Sequence, residues 1–201
     1  ISVNSDVGLK QIQAFITEHR LGVLAIGPGL GNTGYTRNLV HGVLDMVRED
    51  DIQVVVDADG LNVSNVAIFK QHPSGSLVLT PHVGEFRQLF PDISDEIDDS
   101  VEVRKRLALE ASKACSQVVV LKGHRSVVAY DGDVYVNETG NPTMATAGMG
   151  DVLTGMIASL CGQGFSSFEA AILGVYLHGM GADIVERERS IGLLASDVIQ
   201  C

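Results

Sequence analysis

The sequence predicts an α/β protein, a three-layer αβα arrangement with a mainly parallel sheet in the middle. Short β-branched runs alternate with longer segments of helical period along most of the chain, the pattern of parallel strands joined by crossover helices that cover both sheet faces. Of the 201 residues, 45% are hydrophobic and 19% charged, which is enough apolar material for one domain core. Glycine-rich or polar motifs follow the predicted strands, where ligands of open parallel sheets bind.

Four strands, a hairpin and several helices are predicted from hydrophobic periodicity. The strands cover residues 21–26, Gln53–Val56, Leu77–Leu79 and Val118–Leu121. The hairpin pairs Val127–Tyr130 with residues 134–136 around the turn Asp131-Gly132-Asp133. Helices are expected around the apolar face of Leu39, Val40, Val43, Leu44 and Val47, and over residues 100–116, 151–160 and 168–188.

The organisation of the chain predicts one domain over residues 1–201, because no internal repeat, low-complexity tract or proline-rich linker divides it. The chain starts at Ile1, and an amphipathic stretch with Leu9, Ile12, Phe15 and Ile16 begins abruptly. We therefore expect that an upstream part of the domain is absent from this sequence.

The composition excludes several classes of protein. A formal net charge of -11 argues against nonspecific binding to nucleic acid or to an anionic membrane, which both need a positive field. No run of about 18 apolar residues is present, so no membrane span is expected. The three cysteines, Cys115, Cys161 and Cys201, show no metal-ligand spacing. We expect a soluble cytoplasmic protein without a metal site made of protein ligands alone.

A glycine-rich turn follows the first predicted strand, as Gly27-Pro28-Gly29-Leu30-Gly31-Asn32-Thr33-Gly34. Gly29, Gly31 and Gly34 fit the G-x-G-x-x-G dinucleotide fingerprint, and Asp57 lies at about the distance of its ribose-binding acid. Pro28 is unusual in such a loop. A dinucleotide site and a tight turn without ligand both stay open at this point.

Two further strands end in motifs that fit a ligand or a helix cap. The second runs into Asp57-Ala58-Asp59-Gly60-Leu61-Asn62, whose acids can orient a ligand, hold Mg²⁺ or cap the next helix. The third runs into Thr80-Pro81-His82-Val83-Gly84-Glu85-Phe86, where Glu85 could be half of a capping arrangement.

The strongest signals come last in the chain. The fourth strand ends in Lys122-Gly123-His124-Arg125-Ser126, which suits a nucleotide or a basic hairpin edge. A loop of small and polar residues, 141–150, then leads to Asp151 at the start of a helix. The helix amino-terminal amides from Gly148 onward can form an anion hole for a phosphoryl group. Asp151 is then a general base or, in the structural alternative, a helix N-cap.

Together these motifs resemble the NAD(P)H-hydrate dehydratase family, the carboxy-terminal half of many bifunctional nicotinamide nucleotide repair proteins. The resemblance covers residues 21–197 and is most specific in Gly-Asn-Pro-x-Met-Ala-Thr-Ala-Gly-x-Gly-Asp-Val-Leu-Thr-Gly. It implies a ribokinase-like fold and the use of ADP or ATP, with Mg²⁺, to dehydrate the 6S hydrates of NADH and NADPH (NADHX and NADPHX). It also implies a homotetramer and an epimerase domain or partner.

The resemblance also implies roles for individual residues. Asp151, with Gly148 and Gly150, is expected to be catalytic, and Asp151 also to contact the hydrate. The hydrate contacts implied are Gly31, His82, Val83, Gly84, Glu85, Phe86, Arg87 and Gln88. The nucleotide contacts implied are Lys122, Gly123, His124, Arg125, Ser126, Asn141, Pro142, Thr143, Met144, Ala145, Thr146, Ala147, Gly148, Met149 and Gly150. Met149 and Thr143 depart from the residues usual in the family.

Three other functions compete with the dehydratase. A small-molecule kinase of the same fold, for hydroxyethylthiazole or a sugar, would use Asp151 without an elimination step. A Rossmann oxidoreductase would place its cofactor at residues 29–34 and leave residues 141–151 unexplained. A noncatalytic nucleotide-binding module is the third, and the retention of Asp151 counts against it. The late helix residues Tyr176, His178 and Asp183 are assigned to packing against the sheet or another subunit.

Overall fold

The computed structural model describes residues 5–94, 97, 98, 100–188 and 192–201. Its centre is a six-stranded sheet in which spatial order follows chain order. The strands are β1 (Val23–Ile26), β2 (Gln53–Val56), β3 (Leu77–Leu79), β4 (Val118–Leu121), β5 (Val127–Tyr130) and β6 (Asp133–Val136). The first four strands are parallel, and β5 and β6 form an antiparallel hairpin beside β4.

Helices cover both faces of this sheet, as the sequence predicts. They are α1 (Ser5–His19), α2 (Gly34–Val47), α3 (Asp59–Asn62), α4 (Val66–Phe69), α5 (Val83–Leu89), α6 (Val101–Cys115), α7 (Met149–Gly162), α8 (Ser167–Glu188) and α9 (Ala195–Ile199). Two 3-10 turns, Pro91–Ile93 and Pro142–Met144, lie between them.

The two faces have separate cores because strand side chains alternate between them. Val54 and Val56 of β2 pack in the cluster that contains α2 and α6. Val55 packs in the second cluster, against α7 and α8. Since strand order follows chain order and crossovers are right-handed, the helices that join the parallel strands share one face. The hairpin then leads the chain to α7 and α8 on the other face.

Helix and strand ends refine the predicted boundaries. β1 begins at Val23, two residues later than predicted. α7 begins at Met149 with Gly148 as its N-cap, so Asp151 occupies the first helical turn and is not the cap. The bounds of the short helices α3, α4, α5 and α9 were not predicted, although the start of a helix was expected close to His82 and Glu85. Segments of four to seven residues are too short to display a helical period.

The helix α8 is long and apolar enough to cross a membrane by length and composition alone. Half of its most apolar 18-residue window is buried inside the fold. It packs closely on α7, where a Cβ on Gly174 would lie 2.6 Å from Ile157. Core helices of this kind meet the same length and hydropathy criteria as membrane spans.

The topology brings the predicted motifs to one edge of the sheet. The four parallel strands end at the same edge, and β6, antiparallel to β5, also ends there. The segments that follow these strands therefore surround one region, the carboxyl edge where ligands bind in open α/β sheets. The order β1 to β6 differs from the Rossmann order 3-2-1-4-5-6, which argues against the oxidoreductase alternative.

Candidate active site

A cavity of about 450 Å³ opens at the carboxyl edge, between the β4–β5 turn, the loop after β6 and the helices α7 and α8. It gathers most of the residues predicted to bind the nucleotide: Lys122, Gly123, His124, Arg125, Ser126, Asn141, Pro142, Met144, Ala145, Met149 and Gly150. Six lining residues had no role in that prediction: Asn137, Thr139, Gly140, Leu153, Val175 and His178. Thr143, Thr146, Ala147 and Gly148 belong to the same loop but do not line the cavity.

An ion pair between the half-buried Lys122 and the buried Asp57 lies at one end of the cavity wall. Lys122 Nζ donates to Asp57 Oδ1 at 2.6 Å, and the Thr154 hydroxyl donates to Asp57 Oδ2 at 2.8 Å. Asp57 is 1% exposed, so its charge is compensated by these two partners and not by water. The sequence suggested a ligand or capping role for Asp57. In the structure, Asp57 instead holds the ammonium group of Lys122 in place.

The first turn of α7 meets this ammonium group. A Cβ built on Gly150 would lie 3.4 Å from Lys122 Nζ and 3.6 Å from Asp57 Oδ2. Met149 N donates to Thr146 O at 3.3 Å, while the first-turn amides of Gly150 and Asp151 have no intrahelical acceptor by their position. These amides, the helix dipole and Lys122 together make this end of the cavity favourable for an anion.

Asp151 lies on the exposed, outer side of the same turn. It does not line this cavity but contributes to a neighbouring depression of about 560 Å³. The other residues of that depression are Val152, Gly155, Met156, Ser159, Leu160, Gln163, Leu177 and Ile199. Gly150 and Asp151 are adjacent, so the first turn of α7 lies between the cavity and the more open depression.

Four hydrogen bonds to α8 hold the loop between β6 and α7, and one of them runs from Asn137 Nδ2 to Val175 O at 3.1 Å. Asp183 accepts from Gly140 N and from Asn141 Nδ2, both at 2.9 Å. Thr139 Oγ1 donates to Tyr176 O at 2.8 Å. The sequence assigned Asp183 to packing against the sheet or another subunit. In the structure it instead anchors the loop that leads to the anion-binding turn.

His178 of α8 lines the cavity and is 7% exposed. Burial, followed by the nearby positive charge of Lys122, lowers the pKa of its imidazole to about 4. The ring is therefore neutral at pH 7. Among the described residues its Nε2 atom has no hydrogen-bond partner. The sequence assigned His178 to packing, and its place in the cavity wall comes only from the fold.

The stretch predicted to contact the hydrate lies beyond β3, outside both depressions. His82 caps α5, because its Nδ1 accepts from Gly84 N at 2.9 Å and from Glu85 N at 3.2 Å. Glu85 Oε2 accepts in return from His82 N at 2.9 Å, which completes a capping box. Phe86 is fully buried, so His82, Arg87 and Gln88 present the exposed side chains of this stretch.

The glycine-rich turn after β1 is tied to the acids after β2. Gly31 N donates to Asp59 Oδ2 at 2.7 Å. A Cβ on Gly27 would lie 1.7 Å from the carbonyl oxygen of Asp57, so only glycine permits this approach. Ala58, between the two acids, has φ 48, a conformation that costs energy for a residue other than glycine.

The described residues do not offer a ready-made metal site. No group of three or more His, Cys, Asp or Glu side chains among them is placed to hold a metal ion. Both carboxylate oxygens of Asp57 are engaged, and Asp59 accepts from Gly31. Within the described part of the chain, no carboxylate cluster of a dedicated Mg²⁺ site is present. Mg²⁺ can also bind through the phosphates of a substrate.

Comparison with solved structures supports the fold assignment. Ribokinase from Thermotoga maritima superimposes with a TM-score of 0.57 at 18% identity, over 94% of this chain and 60% of that one. At this identity the likeness shows the fold alone. The ADP/ATP-dependent NAD(P)H-hydrate dehydratase from Bacillus subtilis, crystallised with ATP and Mg²⁺, gives a TM-score of 0.74 at 34% identity, over 88% of this chain and 61% of that one. The predicted ribokinase-like fold is thus confirmed.

Comparison with sequences gives the family. Residues 4–201 match the model of the family described as NAD(P)H-hydrate dehydratase. The bifunctional NAD(P)H-hydrate repair enzyme Nnr of Moorella thermoacetica is 44% identical over 88% of this chain and 33% of its own length. The ADP-dependent (S)-NAD(P)H-hydrate dehydratase of Neisseria meningitidis is 40% identical over 86% of this chain. This chain spans 59% of the Neisseria relative. The chain belongs to the NAD(P)H-hydrate dehydratase family.

Proposed function

We propose that this protein dehydrates the 6S hydrates of NADH and NADPH, with ADP or ATP as the phosphoryl donor. The observation that carries the proposal is the first turn of α7. Gly150 faces the cavity beside Lys122, and the next residue, Asp151, faces the more open depression. A nucleotide on one side and a hydrated dinucleotide on the other can therefore meet at this turn.

The nucleotide belongs in the enclosed cavity. Its volume of about 450 Å³ is within the range of small-molecule sites. The ammonium group of Lys122 and the amides of Gly150 and Asp151 supply the positive field that a terminal phosphate needs. Because Asp57 fixes Lys122, this field exists before the ligand binds. We further propose that Mg²⁺ enters with the phosphates of the nucleotide.

The reaction begins with a phosphoryl transfer in which Asp151 acts as the base. Asp151 accepts the proton of the C6 hydroxyl while that oxygen attacks the terminal phosphorus, and AMP or ADP leaves. The phosphate ester is a better leaving group than hydroxide. The lone pair of the ring nitrogen then expels phosphate from C6, and loss of a proton from C5 restores the dihydropyridine. The products are NADH or NADPH, phosphate and the shortened nucleotide.

The remaining predicted contacts give the hydrate a second surface. We propose that Gly31 and the stretch from His82 to Gln88 bind it, through backbone atoms and the exposed side chains of His82, Arg87 and Gln88. Lys122 and His82 are neighbours across a β-bridge, so this surface adjoins the anion-binding end of the cavity.

A small-molecule kinase of the same fold is the alternative function. It would use the same cavity and the same base, and would stop at the phosphate ester. The match of residues 4–201 to the dehydratase family and the 40% identity to an ADP-dependent dehydratase support the dehydratase over a kinase.

The test mixes the purified protein with NADH hydrate, Mg²⁺ and either ADP or ATP, and follows the absorbance near 340 nm together with free phosphate. We expect NADH and phosphate to appear in equal amounts, and more rapidly with ADP than with ATP. The hydrate alone and the nucleotide alone are the controls. Consumption of nucleotide with a stable phosphorylated product and without NADH would contradict the proposal and indicate the kinase.

Three finer expectations stay predictions. The homotetramer, the epimerase domain or partner, and the cytoplasmic location follow from the resemblance or the composition. Sedimentation of the purified protein tests the first of them.

A further inference from the structure

Arg104 lies beneath the turn that follows β4. It belongs to α6 and is 3% exposed. Its Nη2 donates to Leu121 O at 3.0 Å, and its Nη1 donates to His124 O. These two carbonyls flank Lys122 and Gly123, so one planar guanidinium holds both ends of the segment that carries the cavity lysine.

The guanidinium approaches this turn from the side opposite the cavity. α6 packs in the core on one sheet face, and the cavity is lined by α7 and α8 on the other. Arg104 does not line the cavity. The carbonyl oxygens of Leu121 and His124 therefore point towards α6, where their negative partial charge does not oppose a phosphate in the cavity.

Gly123 shows how closely the turn and the guanidinium fit. Its φ is +150, and a Cβ at this position would lie 2.8 Å from Arg104 Nη2 and 3.2 Å from Nη1. Any side chain here would push the turn away from Arg104. Arg125, with φ 54, is a second unusual backbone position in the same turn, and such conformations persist only when their surroundings hold them.

We infer that Arg104 is a positioning residue that sets the affinity of the cavity for its nucleotide by holding the turn from Leu121 to His124. The inference rests on the proposed function only for the identity of the ligand. Arg104 does not touch that ligand. Its effect passes through the carbonyls of Leu121 and His124 to Lys122 and to the backbone of the turn.

The test compares Arg104→Lys with Arg104→Met by measuring the Kd of ADP, with fluorescence or calorimetry, without the hydrate. Lysine keeps the positive charge but cannot bind two carbonyls as a planar fork. We expect the Kd of ADP to rise about tenfold or more in both variants. The loss of one hydrogen bond to a charged group changes an affinity by about this factor. At saturating ADP, kcat and the KM for NADH hydrate stay within about twofold of wild type.

Arg106→Met is the matched control, because Arg106 is an exposed arginine of the same helix with a hydrogen bond to Glu110 at 3.1 Å. It should leave the Kd of ADP unchanged. Gly123→Ala disturbs the same contact from the side of the turn. If both residues act through one conformation, the double variant Arg104→Lys/Gly123→Ala loses less affinity than the product of the single losses.

An unchanged Kd of ADP in folded Arg104→Lys, or additive losses in the double variant, would overturn the inference. Two other outcomes would reduce Arg104 to a stability role. One is an equal loss in kcat and in affinity for both substrates. The other is loss of the folded state in both Arg104→Lys and Gly123→Ala. Wild-type protein that binds ADP without forming NADH would refute the proposed function while the affinity comparison still decides the role of Arg104. Wild-type protein that binds neither ADP nor ATP would refute both.

Discussion

The proposed nucleotide cavity (the nucleotide side) and the proposed hydrate-binding surface after β3 (the hydrate side) are stabilised in different ways. On the nucleotide side, Asp57 bonds Lys122 and Thr154, which lie 65 and 97 residues away in sequence. On the hydrate side, His82 and Glu85 hold each other across three residues. The first side is an enclosed cavity assembled by the fold, and the second is an exposed helix start with local bonds. Substitutions on the nucleotide side should therefore affect nucleotide binding and, strongly, stability. Substitutions on the hydrate side should affect hydrate binding and cost little stability.

The largest effect is expected where the two sides meet. Asp151→Asn removes the proposed base and keeps the backbone amides, so kcat should fall by about 10²- to 10⁴-fold while the Kd of ADP changes less than about threefold. NADH recovery and ADP binding are the two measurements. Asp133→Asn, at an exposed carboxylate of the hairpin, controls for the lost charge and should keep full activity. Collapse of ADP binding together with kcat would refute the assignment.

Lys122→Met tests the nucleotide side, which the fold assembles from residues distant in sequence. It leaves the Asp57 carboxylate buried without its cation, which costs about 3–5 kcal/mol of unfolding free energy. Urea unfolding measures this cost, and Asp57→Asn/Lys122→Met should recover part of it because the buried charge is gone. ADP binding should be lost in both variants. If Lys122→Met is as stable as the wild type, the ion pair of Asp57 and Lys122 does not stabilise the nucleotide side.

The pH dependence of stability tests the burial of His178, which also lies on the nucleotide side. Its pKa is about 4 in the folded protein and near 6.5 when exposed, so between these values the unfolded chain binds more protons. Stability should therefore fall by about 2 kcal/mol as the pH drops from 7 to 5. His72, whose pKa is lowered by burial and then by Arg48, adds to the same trend. Unfolding of His178→Asn should show a weaker pH dependence than wild type, and an identical one would contradict the burial argument.

The smallest effect is expected from the local bonds of the hydrate side. Glu85→Ala removes half of the capping box and should cost about 1 kcal/mol of unfolding free energy. It should also raise the KM of NADH hydrate without changing the Kd of ADP. Glu85→Gln keeps an acceptor at the same position and is the matched control, expected to retain most of the stability. A changed Kd of ADP in Glu85→Ala would show that the two sides are not independent.

Much of the fold was predictable from local pattern. The strands Gln53–Val56, Leu77–Leu79 and Val118–Leu121 lie where the apolar runs place them, because buried parallel strands show as continuous β-branched segments. The bounds of the short helices α3 to α5 could not be predicted, since helices this short are set by caps such as His82 and Asn65 and not by periodicity. α7 begins before Asp151 because Gly148 ends the loop in a conformation that the sequence pattern does not reveal.

The candidate site was predictable where residues are contiguous, as in Lys122 to Ser126, which line the cavity. The sequence did not assign Arg104, Thr154 or His178 to the site. Each lies inside a helix whose residue pattern is typical of helices that pack on a hydrophobic core. Asp183 looked like a packing residue for the same reason, and only its hydrogen bonds to Gly140 and Asn141 reveal its role.

The sequence by itself determined the α/β class, the family and the segments that follow the strands, because strand runs, glycine turns and the loop before α7 are local patterns. The tertiary structure alone decided which side chains meet. It paired Asp57 with Lys122, put His178 into the cavity wall and set Arg104 behind the nucleotide turn. These contacts join residues from different elements. The parallel strands bring Asp57 and Lys122 to one edge of the sheet, and the helices that cross the sheet bring Arg104 and His178 to the same region.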